Sequence, residues 1–274
     1  MQQDISTSEF DTFSRFLIEA CGIELTSDKK YLVENRLNKV METHQIGSLS
    51  ELVATCKSSS GSAVQLAVVD AMTTNETLWF RDQHPFTNLS ETILPELSGS
   101  RSSLKVWSAA CSTGQEPYSI AMTIEKYLRD NPGCAMNHQI IATDISQTVL
   151  DRCKEGAYDE YALNRGLPAD MKERYFQLES DGTYRINSEI RRHIRFEKTN
   201  LIQSFQKLGK FDVIFCRNVL IYFPRAVKLD ILDRIHHSLV PGGYLFVGAS
   251  EGLFGMAGRF EMLPCKFGII YRKL

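Results

Sequence analysis

The sequence predicts an α/β fold, in which a mainly parallel sheet carries a small antiparallel insert and follows a small all-α domain. Three observations carry that expectation. Residues 1–75 place apolar side chains at helical spacing with no strand signal. Residues 104–274 alternate short β-rich apolar runs with amphipathic stretches. Residues from about 157 to 198 break that alternation around an Asp-Gly turn, and residues 76–103 are read as a linker that contributes to the ligand site.

In the first domain, Phe10, Phe13, Phe16, Leu17 and Ala20 recur at helical spacing behind an N-cap at Ser6 or Ser8, and Gly22 stops the run. A second helix is expected over 27–41, with Leu32, Val33, Leu37, Val40 and Met41 as its apolar positions. Two more, over 49–56 and 63–72, flank the loop KSSSGS.

Beyond the linker, LKVWSAA reads as a strand, followed by a turn and a helix over 115–129. HQIIATD is a second strand, and ISQTVLDRCKEG a helix closed by Gly156. The insert comes next: YFQLESDGTYRINSEI and HIRFEKTN hold a hairpin at Asp181-Gly182. FDVIFC is a third strand, near-continuously apolar as burial on both faces demands. A helix over 225–239 is expected to stop at Pro241-Gly242-Gly243, before a fourth strand, GYLFVGAS. FEMLP and FGIIYRKL close the sheet as an antiparallel pair.

A chain of 274 residues can bury a sizeable core, and its net charge of -2 gives no global pull toward nucleic acid or anionic membranes. No apolar run is long enough to span a bilayer, and MQQDISTSEF lacks the basic start of a secretion signal. A cytoplasmic protein without membrane insertion is therefore expected. The seven cysteines show no C-x-x-C spacing, which argues for free thiols and against a disulfide framework or a metal site. Cys111 and Cys216 read as small buried apolar residues.

The turn after the first strand, within WSAACSTGQEPYS (107–119), is built of small residues and one glycine, Gly114. Such a loop lets the backbone approach a ligand and then enters a helix whose N-terminus favours an anionic group. It reads equally as a tight strand-to-helix turn. The G-x-G-x-x-G fingerprint is missing, which disfavours a nicotinamide-dependent oxidoreductase. Asp144, ending the second strand, is placed to accept from ribose hydroxyls or to cap the next helix. Asn200-Leu201 and Arg217-Asn218 fall where two further strand ends open onto the same cleft.

Five segments then occur in order: TTNETLWFR (73–81), VWSAACSTGQEPYSIA (106–121), ATDIS (142–146), FDVIFCRNVLIYF (211–223) and LVPGGYLFVGASEGL (239–253). Together they resemble the CheR family, the bacterial chemotaxis receptor methyltransferases, over nearly the whole chain. The resemblance implies a class I, Rossmann-like sheet that binds S-adenosylmethionine (SAM) and releases S-adenosylhomocysteine. It implies methyl esterification of glutamates on the cytoplasmic helices of chemoreceptors. It places cofactor contacts at Asn75, Thr77, Arg81, Glu116, Asp144, Asn200, Leu201, Arg217 and Asn218, with Arg81 and Tyr222 beside the transferring methyl. It also makes the N-terminal domain substrate-facing through Lys29, Lys30, Arg36 and Lys39, although Asp28, Glu34 and Glu42 let the same helix read as a mixed solvated face. The insert resembles a β-subdomain that in some members docks a tethering peptide from the receptor C-terminus. Here the turn 179–183 is short, so independence from the tether is expected. A regulatory adaptor is compatible with the family; nucleic acid is not an expected partner.

A glutamate side chain ionises near pKa 4.3, so at neutral pH it is already a nucleophile and needs no general base. None of the six histidines falls within the five segments. The enzyme must instead supply desolvation and in-line alignment, worth about 7 kcal/mol or more. Arg81 is suited to orienting the incoming carboxylate with its planar fork. Tyr222 offers a hydroxyl, a ring wall beside a sulfonium, or simple packing after a strand. A pure SAM-binding scaffold would have little need of Arg81.

Overall fold

The computed structural model describes residues 5–253, 255–265 and 268–274. The opening MQQD and Phe267, the first residue of the expected last strand, lie outside the described residues.

Helix α1 (Thr7–Cys21) starts at Ser6, whose hydroxyl accepts from the Glu9 N–H while the Glu9 carboxylate accepts from the Ser6 N–H. This reciprocal capping box satisfies two orphan donors of the first turn. A 3-10 turn, Ser27–Lys29, delays α2 (Lys30–His44), and α3 (Leu49–Lys57) and α4 (Ser62–Met72) follow. Phe13, Leu17, Val33, Leu37, Leu52 and Val68 meet in one core, each contributing about 1.5–3 kcal/mol on burial. Gly22 ends α1 with φ 80, and a Cβ there would come within 2.6 Å of Ile202 and 2.7 Å of Phe223. The helical domain therefore abuts the sheet domain closely at this point.

The linker is itself helical: α5 (His84–Asn88), one π-helical turn (Leu89–Ile93) and α6 (Leu94–Ser98). Pro85 and Pro95 stand in the first turn of α5 and α6, where a missing N–H costs nothing. Phe86, Leu89, Ile93 and Leu94 pack into the same core as Val106 and Ile120, so this segment is part of the sheet domain.

The sheet domain runs β1 (Ser103–Ala109), α7 (Gln115–Asp130), β2 (Asn137–Asp144), α8 (Gln147–Glu155), β3 (Ala157–Tyr158), α9 (Glu160–Asn164), α10 (Ala169–Tyr175), β4 (Phe176–Leu178), β5 (Tyr184–Ile186), α11 (Ser188–Arg191), β6 (Ile194–Lys198), β7 (Phe211–Cys216), α12 (Arg225–Ser238), β8 (Leu239–Phe246), β9 (Phe260–Cys265) and β10 (Gly268–Lys273). The seven-stranded sheet has the order β6-β2-β1-β7-β8-β10-β9. Strands β6 to β8 of that order are parallel, and β10 runs antiparallel to both β8 and β9. This is a Rossmann-like sheet of the kind expected, and the strand order reverses between β1 and β7.

Two boundaries differ from the sequence expectation. The HIRFEK strand, β6, is not part of the insert; it pairs parallel with β2 as the edge of the main sheet, Ile140 opposite Ile194. The antiparallel sheet is β3-β5-β4, closed by the expected turn at Asp181-Gly182. Pro241-Gly242-Gly243 lies inside β8 rather than ending a helix. Phe211 pairs with Leu239 but Val213 with Tyr244, so these three residues and Val240 form an irregularity that the ladder skips. Gly242 adopts φ 72 there, and a Cβ on Gly243 would sit 3.0 Å from the Val240 carbonyl oxygen.

Candidate active site

A cleft opens at the carboxyl ends of β1, β2 and β7, at the switch point. Asn75, Thr77, Arg81, Glu116, Asp144, Asn200, Leu201, Arg217, Asn218 and Tyr222 all line it. The helical domain also contributes, through Cys21 and Ile23 at the end of α1 and through Met72 to Thr74 after α4. Thr73 and Thr74 open the TTNETLWFR segment, but no motif in the sequence pointed to Cys21, Ile23 or Met72, which only the docking of the two domains brings in.

The loop after β1 approaches the cleft with Ala110, Cys111 and Ser112, and Ala110 and Ser112 hold φ 57 and 51. Such left-handed conformations in non-glycine residues are strained, and side-chain and backbone partners keep them in place. The Ser112 N–H donates to Asp144 Oδ2 at 2.9 Å, and its hydroxyl donates to the Asn75 carbonyl at 2.9 Å. Gly114 plays a different part from the one expected. It does not face the cleft; at φ 98 a Cβ would lie 2.8 Å from the Tyr158 hydroxyl and 3.1 Å from Cys153 Sγ. The glycine serves packing against β3 and α8. Cys111 and Cys216 are buried, and burial holds both thiols well above the usual range, as expected of inert residues.

Asp144 accepts from two backbone N–H groups, Ser112 on Oδ2 and Ser146 on Oδ1 at 3.0 Å. Ser146, not Asp144, caps α8 by accepting from the Val149 N–H. Burial raises the Asp144 pKa, and those backbone donors act against the rise. A carboxylate offers about four lone-pair directions, so Asp144 keeps capacity for ribose hydroxyls.

Glu116, in the first turn of α7, accepts from the Ser108 hydroxyl at 2.8 Å and from Arg217 Nη1 at 3.0 Å. Burial pushes its carboxyl above the ordinary range, while Arg217 and Ser108 pull the other way. Arg217 also donates through Nη2 to Asp82 Oδ2 at 2.7 Å and to the Arg81 carbonyl at 2.8 Å. Its side chain is 1% exposed. Arg217 thus clamps the 80–83 turn, where Phe80, Asp82 and Gln83 all have positive φ. Asp82 was not singled out in the sequence, because nothing local marks a partner 135 residues away.

The 73–81 segment is anchored by Trp79, fully buried with its ring edge-on to Tyr158 at 5.0 Å and to Phe176 at 5.4 Å. The Phe80 N–H donates to Ser119 on α7. From this anchor Arg81 projects to the cleft, with Nη1 3.3 Å from the Glu76 carbonyl. Opposite, a 3-10 turn, Leu220–Tyr222, carries Tyr222, half-buried at the cleft wall. Glu251 fixes that turn: its carboxylate accepts from the Asn218 and Gly248 N–H groups at 2.7 Å and the Ile221 N–H at 3.2 Å. Asn200 is partly spent on architecture, donating to the Ala20 carbonyl of α1 at 2.9 Å.

The four basic residues of the second helix do not act as one group. Lys39 is exposed, and Lys29 and Lys30 are half-buried near the start of α2. Arg36 departs from the expected stripe. Its guanidinium donates to the Met72 and Thr73 carbonyls and to the Thr74 hydroxyl, at 2.9, 3.2 and 3.1 Å, just before Asn75.

Among the described residues no helix is long and apolar enough to cross a membrane. Residues 75–269 match the family model "CheR methyltransferase, SAM binding domain", and residues 8–73 match "CheR methyltransferase, all-alpha domain". Chemotaxis protein methyltransferase Cher2 of Pseudomonas putida is 50% identical over 269 residues, covering 96% of this chain and 97% of the relative. Chemotaxis protein methyltransferase 1 of Pseudomonas aeruginosa is 49% identical over 272 residues, covering 97% and 98%. Chemotaxis protein methyltransferase of Borreliella burgdorferi is 31% identical over 270 residues, covering 96% and 95%.

SAM is a cation carrying an ammonium, a carboxylate and a ribose. The cleft fits it: Glu116 would answer the ammonium and buried Asp144 the ribose, and the loop after β1 leaves room for close backbone contact. A switch-point cleft lined by two acidic residues, matched by two family models over nearly the whole chain, leaves one assignment: this is a SAM-dependent enzyme belonging to the CheR methyltransferase family.

Proposed function

We propose that the enzyme methyl-esterifies glutamate side chains on the cytoplasmic helices of chemoreceptors. The observation that supports this most is the meeting of Arg81 and Tyr222, from distant parts of the chain, at the wall of a cleft whose floor holds Glu116 and Asp144. Bound there, the cofactor supplies an activated methyl on a sulfonium. The protein's own part is positional. Arg81 pairs with the incoming carboxylate and sets its direction, and Tyr222 bounds the space between that carboxylate and the cofactor. The apolar lining, including Ile23, Val219 and Phe223, excludes water, which leaves the carboxylate a better nucleophile. Among the described residues no histidine lines the cleft, in keeping with a reaction that needs no general base.

Substrate helices approach from the helical domain, where Lys29, Lys30 and Lys39 steer acidic partners. The β3-β5-β4 turn is tight: Thr183 N–H and hydroxyl both donate to Asp181 Oδ1, and Arg185 pairs with Glu179. A turn closed on itself supports activity without a tethering peptide. The enzyme works in the cytoplasm.

Incubation with methyl-labelled SAM and receptor cytoplasmic domains, with and without their C-terminal tails, tests this reading. Label released by mild alkali and lost when the acceptor glutamates become alanine is expected in both cases. Alkali-stable label would overturn carboxyl methylation, and label only on tailed receptors would overturn tether independence.

A further inference from the structure

At the amino end of the sheet, away from the cleft, Glu125 on α7, His138 at the start of β2 and His193 just before β6 bring three ligand-type atoms together. Glu125 Oε1 lies 3.1 Å from His193 Nε2 and 3.7 Å from His138 Nε2. The three atoms fall within 4.8 Å of one another. The imidazoles stack with centroids 3.9 Å apart and 20° between their planes, so both rings present Nε2 to the same carboxylate oxygen.

Hydrogen bonding alone does not account for this arrangement. The separation of 3.7 Å is beyond hydrogen-bond range, and His138 Nε2 has no partner among the described residues although its side chain is 1% exposed. A buried polar atom left bare is destabilising. A neutral imidazole at this position keeps a ring lone pair for a cation. On His193, Nδ1 faces the His138 carbonyl at 3.3 Å and Nε2 accepts from Arg192 Nε at 3.1 Å. With Nδ1 carrying the proton, the Nε2 lone pair faces the Glu125 oxygen 3.1 Å away, a contact that a cation between them would relieve.

We propose that Glu125, His138 and His193 form a binding site for a divalent transition-metal ion, with zinc the best fit. Tetrahedral zinc with bonds of about 2.0–2.1 Å sets its ligand atoms roughly 3.3 Å apart. The separations of 3.1 and 3.7 Å bracket that spacing. Two imidazoles with one carboxylate suit zinc rather than magnesium or calcium, which prefer all-oxygen shells. The half-exposed edges of Glu125 and His193 give a path in, and Arg192, itself exposed, swings outward when the ion binds. The site uses none of the seven cysteines whose spacing argued against a metal centre. Its effect is to tie α7, which carries Glu116 at its other end, to β2 and the edge strand β6.

The full chain, stripped with a chelator, is titrated with zinc against a chromophoric indicator, and with cobalt for visible absorption. One ion per chain, a tetrahedral cobalt spectrum and a melting temperature raised by several degrees are expected. Glu125→Gln and His193→Gln should each weaken zinc binding at least tenfold, while S-adenosylhomocysteine binding stays at the parent level as the control for folding. Absence of stoichiometric binding by the parent, or the same affinity in both variants, would overturn the proposal and leave the cluster as a histidine pair sharing one carboxylate.

Discussion

Arg217 Nη1 lies 3.0 Å from Glu116 Oε2, and the same guanidinium holds Asp82 from the opposite side. A cleft-lining carboxylate and the turn behind Arg81 are therefore fixed by one buried cation. Removing one member of such a pair leaves an uncompensated buried charge, so Arg217→Ala should lose about 3–5 kcal/mol of stability. Arg217→Lys keeps the charge but loses the fork, and should recover only part of it. Urea denaturation of both variants checks this; an unchanged midpoint in Arg217→Ala would remove the clamp from the account.

The same buried carboxylate predicts a pH dependence. Burial raises the Glu116 pKa above 4.5, the value for a free glutamate. The folded, unliganded protein therefore favours the neutral form more than the unfolded chain does. Its contribution to stability is full below pH 4.5 and is lost as pH rises through the raised folded value. Cofactor binding has the opposite sign, because the ammonium needs the ionised carboxylate. S-adenosylhomocysteine affinity should fall on acidification from neutral pH, before an ordinary carboxylate would titrate. Calorimetry from pH 8 to 5 should give Glu116→Gln weaker binding and a shallower slope, the remainder coming from Asp144, whose pKa is also raised.

These relationships mark what the sequence could and could not disclose. Strand and helix periodicity, together with Ser6, Gly22 and Gly156 as caps, made the order of elements readable, since each signal is local. The cleft residues were readable because their short segments resemble a family's. Partnerships set by tertiary docking were not: Arg217 with Asp82, Asn200 with Ala20, Glu251 beneath Asn218. Strand β6 was assigned to the insert because its alternation is equally compatible with either sheet, and only its register with β2 decides. Pro241-Gly242-Gly243 looked like a helix stop because a bulge and a stop share the same residues.

Glu251 should behave as a positioning residue for Tyr222. Its carboxylate collects three backbone N–H groups around the Leu220–Tyr222 turn. Glu251→Ala leaves those donors unsatisfied, at about 1–3 kcal/mol, and lets the turn move. Turnover should drop more than tenfold while S-adenosylhomocysteine affinity changes by less than threefold. Equal losses in both would instead mean that Glu251 shapes the cofactor site directly.

Arg81 separates binding from chemistry more sharply. Its guanidinium meets the cleft, but its only protein partner among the described residues is the Glu76 carbonyl at 3.3 Å. Little of the fold depends on that contact. Arg81→Ala should therefore keep its melting temperature within a few degrees and its cofactor affinity within several-fold. If alignment of the substrate carboxylate is its task, turnover should fall by roughly a hundredfold, a modest share of what orientation can supply. Parent-level turnover with normal cofactor binding would leave Arg81 without a role in the reaction.

The basic residues of α2 offer the clearest separation of recognition from architecture. Lys29, Lys30 and Lys39 make no hydrogen bond that the cleft depends on, whereas Arg36 holds the Met72 and Thr73 carbonyls and the Thr74 hydroxyl ahead of Asn75. Reversing the three lysines to glutamate should raise KM for the receptor several-fold at low salt. The difference should shrink at high salt, because exposed charges steer through screened fields. Cofactor affinity should not move. Arg36→Ala should do the reverse, weakening S-adenosylhomocysteine binding by releasing the segment that carries Asn75 and Thr77, with no added salt dependence in KM. A lysine variant that binds and methylates like the parent at every ionic strength would move receptor recognition off this helix.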